Sequence, residues 1–233
     1  MASHPSGRSS QSCINSSSRT MTRTTQLRQR RDEARKRLTR EALLDAAERV
    51  FALRGYHATQ VSDIVSEAKV GQGTFYRHFQ SKRVLFDALF ERLASGLLGG
   101  FEAPVGPLPE TLDEYREMSL RGAIQATRVI EEHAAALRII LRDGPSIDDA
   151  FAARLEAVYE QMTQIGRIYL DHAVKKGLVP AQDTELVGHL VVGYAIRVLT
   201  LWLDERLPER NSEDVVRKLV DFSLVGFAGR LPS

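Results

Sequence analysis

The chain has 233 residues, 43% of them hydrophobic, which is enough apolar side chain to form the core of one or two compact units. Its single cysteine, Cys13, excludes an intramolecular disulfide, and the serine-rich residues 1–20 lack the apolar segment of a secretory signal, so we expect a cytoplasmic protein. The net charge is only +2, but residues 1–40 carry +8, from ten basic and two acidic residues, which leaves −6 for the remainder. This asymmetry indicates that the N-terminal part contacts a polyanion.

The sequence predicts an all-α fold, because its long apolar-periodic segments contain few glycines or prolines and no strand-like alternation of β-branched residues. Residues 1–36 lack apolar periodicity and predict a basic, disordered tail, although the stretch from Gln26 could extend the first helix. We divide the rest into a small helical unit, residues 37–83, and a larger helical domain, residues 84–233.

Four helices are predicted in and just beyond the small unit. Thr39 can cap the first, which ends at Gly55, and Thr59 can cap a short second helix. The third runs from about Gln72 to Phe79, and Ser81 can cap the fourth, which ends near residues 99–100.

The larger domain begins after a proline-rich linker. The capping box that starts at Thr111 opens one helix, and a second such signal at Ser146 opens the longest periodic run of the chain. The last two helices span about Asp183 to Leu203 and Ser212 to Phe227.

The stretch from Leu186 to Leu203 is nearly long enough to cross a membrane. It contains His189 and Arg197 and is flanked by acidic residues, so we interpret it as a buried helix and expect no membrane contact.

The second and third helices are joined by the short turn at residues 69–71, an arrangement typical of a helix-turn-helix that the first helix supports. Phe75 and Phe79 lie one turn apart on the third helix and would face the core, which leaves polar side chains outward. Glutamine and arginine can form paired hydrogen bonds with base edges, and a small glycine allows close approach to the groove. The expected base contacts are Gln72, Gly73, Thr74, Arg77 and His78.

Four segments of this unit carry a family resemblance. They are Leu43–Phe51 (LLDAAERVF), Gly55–Thr59 (GYHAT), Asp63–Ile64 and Gly73–Lys82 (GTFYRHFQSK). With them, the chain from about Thr39 to Leu93 resembles the tetracycline-repressor (TetR) family.

The resemblance implies a homodimeric, sequence-specific transcriptional regulator, usually a repressor, whose third helix reads a palindromic DNA operator. It also implies phosphate contacts at the positions of Thr59, Tyr76 and Lys82. A small molecule that binds the C-terminal domain would release the protein from DNA.

Two positions depart from the family pattern. Lys69 stands where a glycine is usual in the turn, and Gly71 stands where serine or threonine usually caps the recognition helix. A left-handed conformation at Lys69 would store about 1 kcal/mol of strain.

The larger domain offers a candidate effector pocket and a candidate dimer interface. Aromatic and methionine side chains on three helices, where few charges converge, predict a pocket for an apolar or amphipathic effector. Its expected lining is Met118, Tyr159, Met162, Tyr169 and Trp202. Small and apolar residues on the last two helices predict a four-helix homodimer interface. Its expected members are Gly188, Val192, Ala195, Leu199, Val216, Leu219, Val220, Ser223 and Phe227.

Two other classes of function were weighed. His133, His172 and His189 lie on different predicted helices, with Glu131 and Glu132 nearby, but no adjacent ligand pair supports a metal or hydrolytic site. We expect no catalytic residues, metal or cofactor. An architectural protein that binds DNA through its basic arm without sequence preference is the other alternative, and competition between operator and bulk DNA would distinguish it.

Overall fold

The computed structural model describes residues 23–99, 107–208 and 211–228 of the chain. Every regular element among these residues is helical, as the sequence predicts. There are nine α-helices in the described part, with one short 3₁₀ turn, Gly144–Ser146, before the seventh. The bounds are α1 Arg23–Ala58, α2 Val61–Glu67, α3 Gln72–His78, α4 Lys82–Gly99, α5 Leu112–Glu132, α6 Ala134–Asp143, α7 Asp149–Lys175, α8 Thr184–Leu203 and α9 Ser212–Ala228.

Helix α1 begins far upstream of the predicted start at Thr39. The sequence predicted a disordered tail to residue 36, but residues 23–36 are helical, which is the alternative raised for the stretch from Gln26. These residues include no glycine or proline, and arginine, glutamine and leucine favour helix. Residues 1–22 lie outside the described part.

Among the described residues the chain forms two compact units, one that ends at Thr39 and one that begins at Arg40. Within the second unit one apolar core includes Phe51 of α1, Phe75 of α3 and Phe86 of α4 together with Ile140 of α6 and Phe151 of α7. Helices from both predicted domains therefore bury side chains in this core.

Two predicted helix caps are replaced by neighbouring residues. Gln60, not Thr59, begins α2, and its backbone N–H donates to Asp63 Oδ2 at 2.9 Å. Asp148, not Ser146, caps α7 by accepting from the backbone N–H of Phe151 at 2.8 Å. Both caps satisfy first-turn N–H groups that have no partner inside the helix.

The apolar helix α8 is not buried in the chain, contrary to the prediction. It is long and apolar enough to cross a membrane, with a mean hydropathy of 1.7, and only 17% of its most apolar stretch is buried. One side faces a cavity and the other presents Leu186 and Leu190, both more than half exposed. An apolar helix with so much accessible surface is typical of an interface.

Candidate nucleic-acid interface and interior cavity

The turn between α2 and α3 closes a short helix with a residue in the left-handed conformation. The backbone N–H of Lys69 donates to Ser66 O at 3.2 Å, and that of Val70 donates to Val65 O at 3.0 Å. This is the Schellman arrangement, in which the central position usually holds glycine. Lys69 occupies it at a φ of 54°, so the strain anticipated from the sequence is present.

We expect Lys69→Gly to raise the free energy of unfolding by about 1 kcal/mol, because glycine adopts positive φ without a clash at Cβ. Urea denaturation of the full chain measures the change. Lys69→Ala is the matched control, since it removes the ammonium group but keeps the Cβ. If alanine stabilised the protein as much as glycine, charge rather than backbone strain would be the cause.

Helix α3 presents one polar face to solvent. Phe75 is fully buried and Phe79, its C-terminal cap, is 2% exposed, so these two side chains fix the helix to the core. Gln72, Gly73 and Arg77 are exposed, and Thr74 and His78 are partly so. The structure therefore brings all five predicted base-contacting residues together on one short helix.

Two details of α3 favour contact with a groove. Arg77 Nη2 donates to Thr74 Oγ1 at 3.0 Å, which holds the guanidinium along the exposed face. A Cβ added at Gly71 or Gly73 would have no neighbour within 4 Å, so both glycines leave open space where a nucleic-acid backbone could approach.

The three predicted phosphate contacts differ in accessibility. Tyr76 is 56% exposed, so its hydroxyl is available to a phosphate oxygen. Thr59 is 2% exposed and its hydroxyl donates to Gly55 O at 2.7 Å. Because this side chain is occupied within the protein, we leave Thr59 out of the proposed interface.

The ammonium group of Lys82 is hydrogen-bonded within the protein. Its Nζ donates to Tyr56 O and Thr59 O, both at 2.7 Å, and lies 4.4 Å from the centroid of the Tyr56 ring. Partial burial lowers the pKa of Lys82 from its ordinary value. The ammonium therefore stabilises the turn between α1 and α2, a role that the sequence did not reveal because these carbonyls lie more than twenty residues away.

A polar cluster joins α1 to the helices of the C-terminal part. Glu48 of α1 lies 2.8 Å from Nδ1 of His133, at the junction of α5 and α6, and accepts from Arg92 Nη2 of α4 at 2.9 Å. The Glu48 side chain is only 14% exposed, so these contacts are shielded from water. Arg92 also pairs with Asp45 at 2.7 Å, which adds a second anchor on α1.

The histidines named in the sequence analysis lie apart, each with its own partner. His133 contacts Glu48, His172 Nε2 lies 2.9 Å from Pro109 O, and His189 lies 4.0 Å from Glu160. Across residues 23–99, 107–208 and 211–228, no three histidine, cysteine or carboxylate side chains form a group that could hold a metal ion.

A cavity of about 370 Å³ lies among α4 to α9. All five predicted pocket residues line it. They are Met118, Tyr159, Met162, Tyr169 and Trp202.

The predicted dimer residues on α8 and α9 also border this cavity, and their place in a dimer stays a prediction. The eight whose side chains are described line it. They are Gly188, Val192, Ala195, Leu199, Val216, Leu219, Val220 and Ser223, whereas the side chain of Phe227 lies outside the described part. The exposed apolar residues on these helices are instead Leu186, Leu190, Phe222 and Val225.

Comparison with known proteins places this geometry in a family. Residues 43–89 match the family model of bacterial regulatory proteins, tetR family. The chain is 31% identical over 132 residues to a transcriptional repressor of Mycobacterium tuberculosis, covering 54% of this chain and 69% of the relative. It is 26% identical over 190 residues to the transcriptional activator FasR of Mycolicibacterium smegmatis, covering 81% and 83%.

Solved structures show the same fold. A putative TetR-family transcriptional regulator from Syntrophomonas wolfei superposes with a TM-score of 0.65 at 18% identity, covering 84% of this chain and 97% of the other.

Proposed function

We propose that this chain, which belongs to the tetR family of bacterial regulatory proteins, acts as a homodimeric repressor that leaves its operator when a small molecule occupies the cavity. The protein is a DNA-binding transcriptional regulator. The observation that carries the proposal is the pairing of an exposed polar face on α3 with an apolar cavity in the same compact unit. A reporter gene placed behind the operator gives the direction of regulation.

The outward face of α3 supports recognition of bases in the major groove. Gln72 and Arg77 each carry two hydrogen-bonding groups that match base edges, while Tyr76 offers a single hydroxyl that suits a phosphate oxygen. We assign sequence preference to the first two residues and sequence-independent affinity to Tyr76. The exposed basic residues of 25–39 supply further phosphate contacts.

We expect Gln72→Ala and Arg77→Ala each to weaken operator binding by about 1 to 3 kcal/mol and to relax preference at particular base pairs. Tyr76→Phe should weaken binding to operator and to unrelated DNA alike. The measurement is equilibrium binding, over a range of salt concentrations, to an operator selected from random-sequence DNA.

Matched controls are available on the exposed side of α5. Gln125→Ala and Arg121→Ala remove the same side chains far along the chain from α3, and neither should alter DNA binding. Unchanged operator preference in both α3 variants would mean that another surface reads the bases.

Competition with bulk DNA separates this proposal from an architectural role. A regulator binds its operator about 10³-fold or more tightly than unrelated DNA at physiological salt. A protein that uses only its basic residues would show no such preference, and its affinity would depend on salt alone.

Some of the helices that line the cavity also contact α1, and these contacts connect effector binding to the DNA-binding helices. Helix α4 contributes Leu93 to the cavity and Arg92 to the cluster on Glu48, while Ile130 and Leu137 line the cavity on either side of His133. A ligand that shifts α4 or α6 would therefore change contacts with α1. By linkage, the ligand and the operator would weaken each other's binding to the same extent.

The proposed dimer uses the exposed apolar face of α8 and α9. Tyr194 and Phe222 make an edge-to-face ring contact at 5.6 Å that joins the two helices into one surface. We place the protein in the cytoplasm with its DNA and propose no enzymatic activity, because the relatives described above are regulators of transcription.

A further inference from the structure

The cavity has two chemically different ends. At one end it meets the core that includes the DNA-binding helices, through residues such as Phe90, Leu137 and Leu155. At the other it meets a smaller core of α5, α7 and α9, through Tyr115, Leu170 and others. Its described lining contains no lysine, arginine, histidine, aspartate or glutamate.

Hydroxyl groups gather at the end formed by the smaller core. Tyr115, which is 8% exposed, and Tyr169 belong to the smaller core, and both line the cavity together with Tyr194. The Tyr194 hydroxyl is hydrogen-bonded to Ser223 Oγ, which donates in turn to Leu219 O at 2.7 Å. Because the Ser223 hydroxyl donates its proton to this carbonyl, the Tyr194 hydroxyl is the donor to Ser223 Oγ. The Tyr194 oxygen therefore keeps lone pairs that can accept a hydrogen bond from a further donor.

These hydroxyls remain neutral. Burial raises the pKa of Tyr115, Tyr169 and Tyr194 above the ordinary tyrosine value, so none of them supplies a negative charge near neutral pH. With no cation in the lining either, an ionised ligand group would lose its hydration without gaining a counter-charge. A neutral hydroxyl could instead donate a hydrogen bond to the Tyr194 oxygen.

We propose that the cavity binds an uncharged amphiphile, with its hydroxyl head group at Tyr194 and Ser223 and its aliphatic chain directed toward Leu137 and Phe90. This assignment rests on the proposed function and names the chemical class of its effector. The volume, about 370 Å³, lies near the small end of the range for ligand pockets, which suits one slender chain.

The fluorescence of a tryptophan in the cavity can report ligand binding at this site. Trp202 is the single tryptophan of the chain, and it lines the cavity. Titrating the full chain with decanol, methyl decanoate, decanoate, decyltrimethylammonium and decane, and following Trp202 emission, compares probes that share a chain and differ in the head group. We expect decanol, which can donate to the Tyr194 oxygen, to bind more tightly than methyl decanoate, which cannot, and at least about tenfold more tightly than either ion.

Conservative variants locate the head group. Tyr194→Phe and Ser223→Ala should each weaken decanol binding by about five- to tenfold and leave decane unchanged, because only a hydrogen bond is removed. Tyr56→Phe is the matched control, since Tyr56 is 8% exposed within the larger core and is not among the residues that line the cavity. It should change the binding of either probe by less than about twofold.

Three results would overturn the assignment. They are equal binding of the ionised and neutral probes, unchanged decanol binding in both Tyr194→Phe and Ser223→Ala, and no change in Trp202 emission with any probe. The titrations contain no DNA, so they are independent of the proposed function. A probe that binds yet leaves operator affinity unchanged would contradict effector release and leave the ligand class intact.

Discussion

Replacing Leu190 by glutamate is expected to convert the proposed dimer into monomers and to lower operator affinity by more than about a hundredfold. Leu190 is 58% exposed on α8, and Phe222 on α9 is 65% exposed, so the two form an apolar surface that a second copy would cover. Glutamate would bring an unpaired charge into that contact. A monomer would then bind each half of the operator separately and lose the gain from linked binding.

Light scattering and operator binding measure this change together. Gln125→Glu is the control, because it places the same charge on an exposed position of α5. Leu190→Ala should have an intermediate effect, since it removes contact area without adding charge. Retention of the dimer in both Leu190→Glu and Phe222→Glu would exclude this face as the interface.

Replacing Phe151 by alanine is expected to cost about 3 to 5 kcal/mol of unfolding free energy. Phe151 is fully buried, and its ring centroid lies 5.2 Å from that of Phe86 and 5.0 Å from that of Phe90. Phe86 in turn contacts Tyr56, at 4.8 Å, close to the end of α1. The loss of these ring contacts would therefore destabilise both the DNA-binding helices and the C-terminal helices.

Urea denaturation checks the size of this effect and its cooperativity. The spectroscopic signals of Trp202 and of total helix should shift together, because one core joins both parts of residues 40–233. Phe151→Leu should lose less stability, and Leu53→Ala, at a position 86% exposed, should lose almost none. Two separate transitions in the Phe151→Ala variant would mean that the DNA-binding helices unfold on their own.

The location of the candidate DNA-binding face was predictable from local pattern. Phe75 and Phe79 are large apolar residues one turn apart on a short helix, so their burial determines which side of α3 faces water. The strained turn was predictable for a similar reason, because Lys69 occupies a position that favours glycine for steric reasons alone. Both features depend on interactions within a few residues of sequence.

Residues that act through distant contacts were not predictable. Lys82 binds carbonyls near the end of α1, and Glu48 meets His133 and Arg92 from helices that lie far along the chain. Nothing in the spacing of these residues indicates such partners. Thr59 likewise matched a family position, yet its hydroxyl is turned to Gly55 O.

The sequence by itself determined the helical class, the order of the helices, the polar face of α3 and the apolar stripe of α7, because each depends on periodicity along one segment. Only the tertiary structure decided which side of α8 and α9 lines the cavity. Glu185, His189 and Arg197 lie on one exposed side of α8, but Leu186 and Leu190 share that side, so polarity in the sequence does not by itself mark it as outward. The packing of α7 and α9 around the cavity supplies that distinction, and it leaves Leu190 and Phe222 exposed.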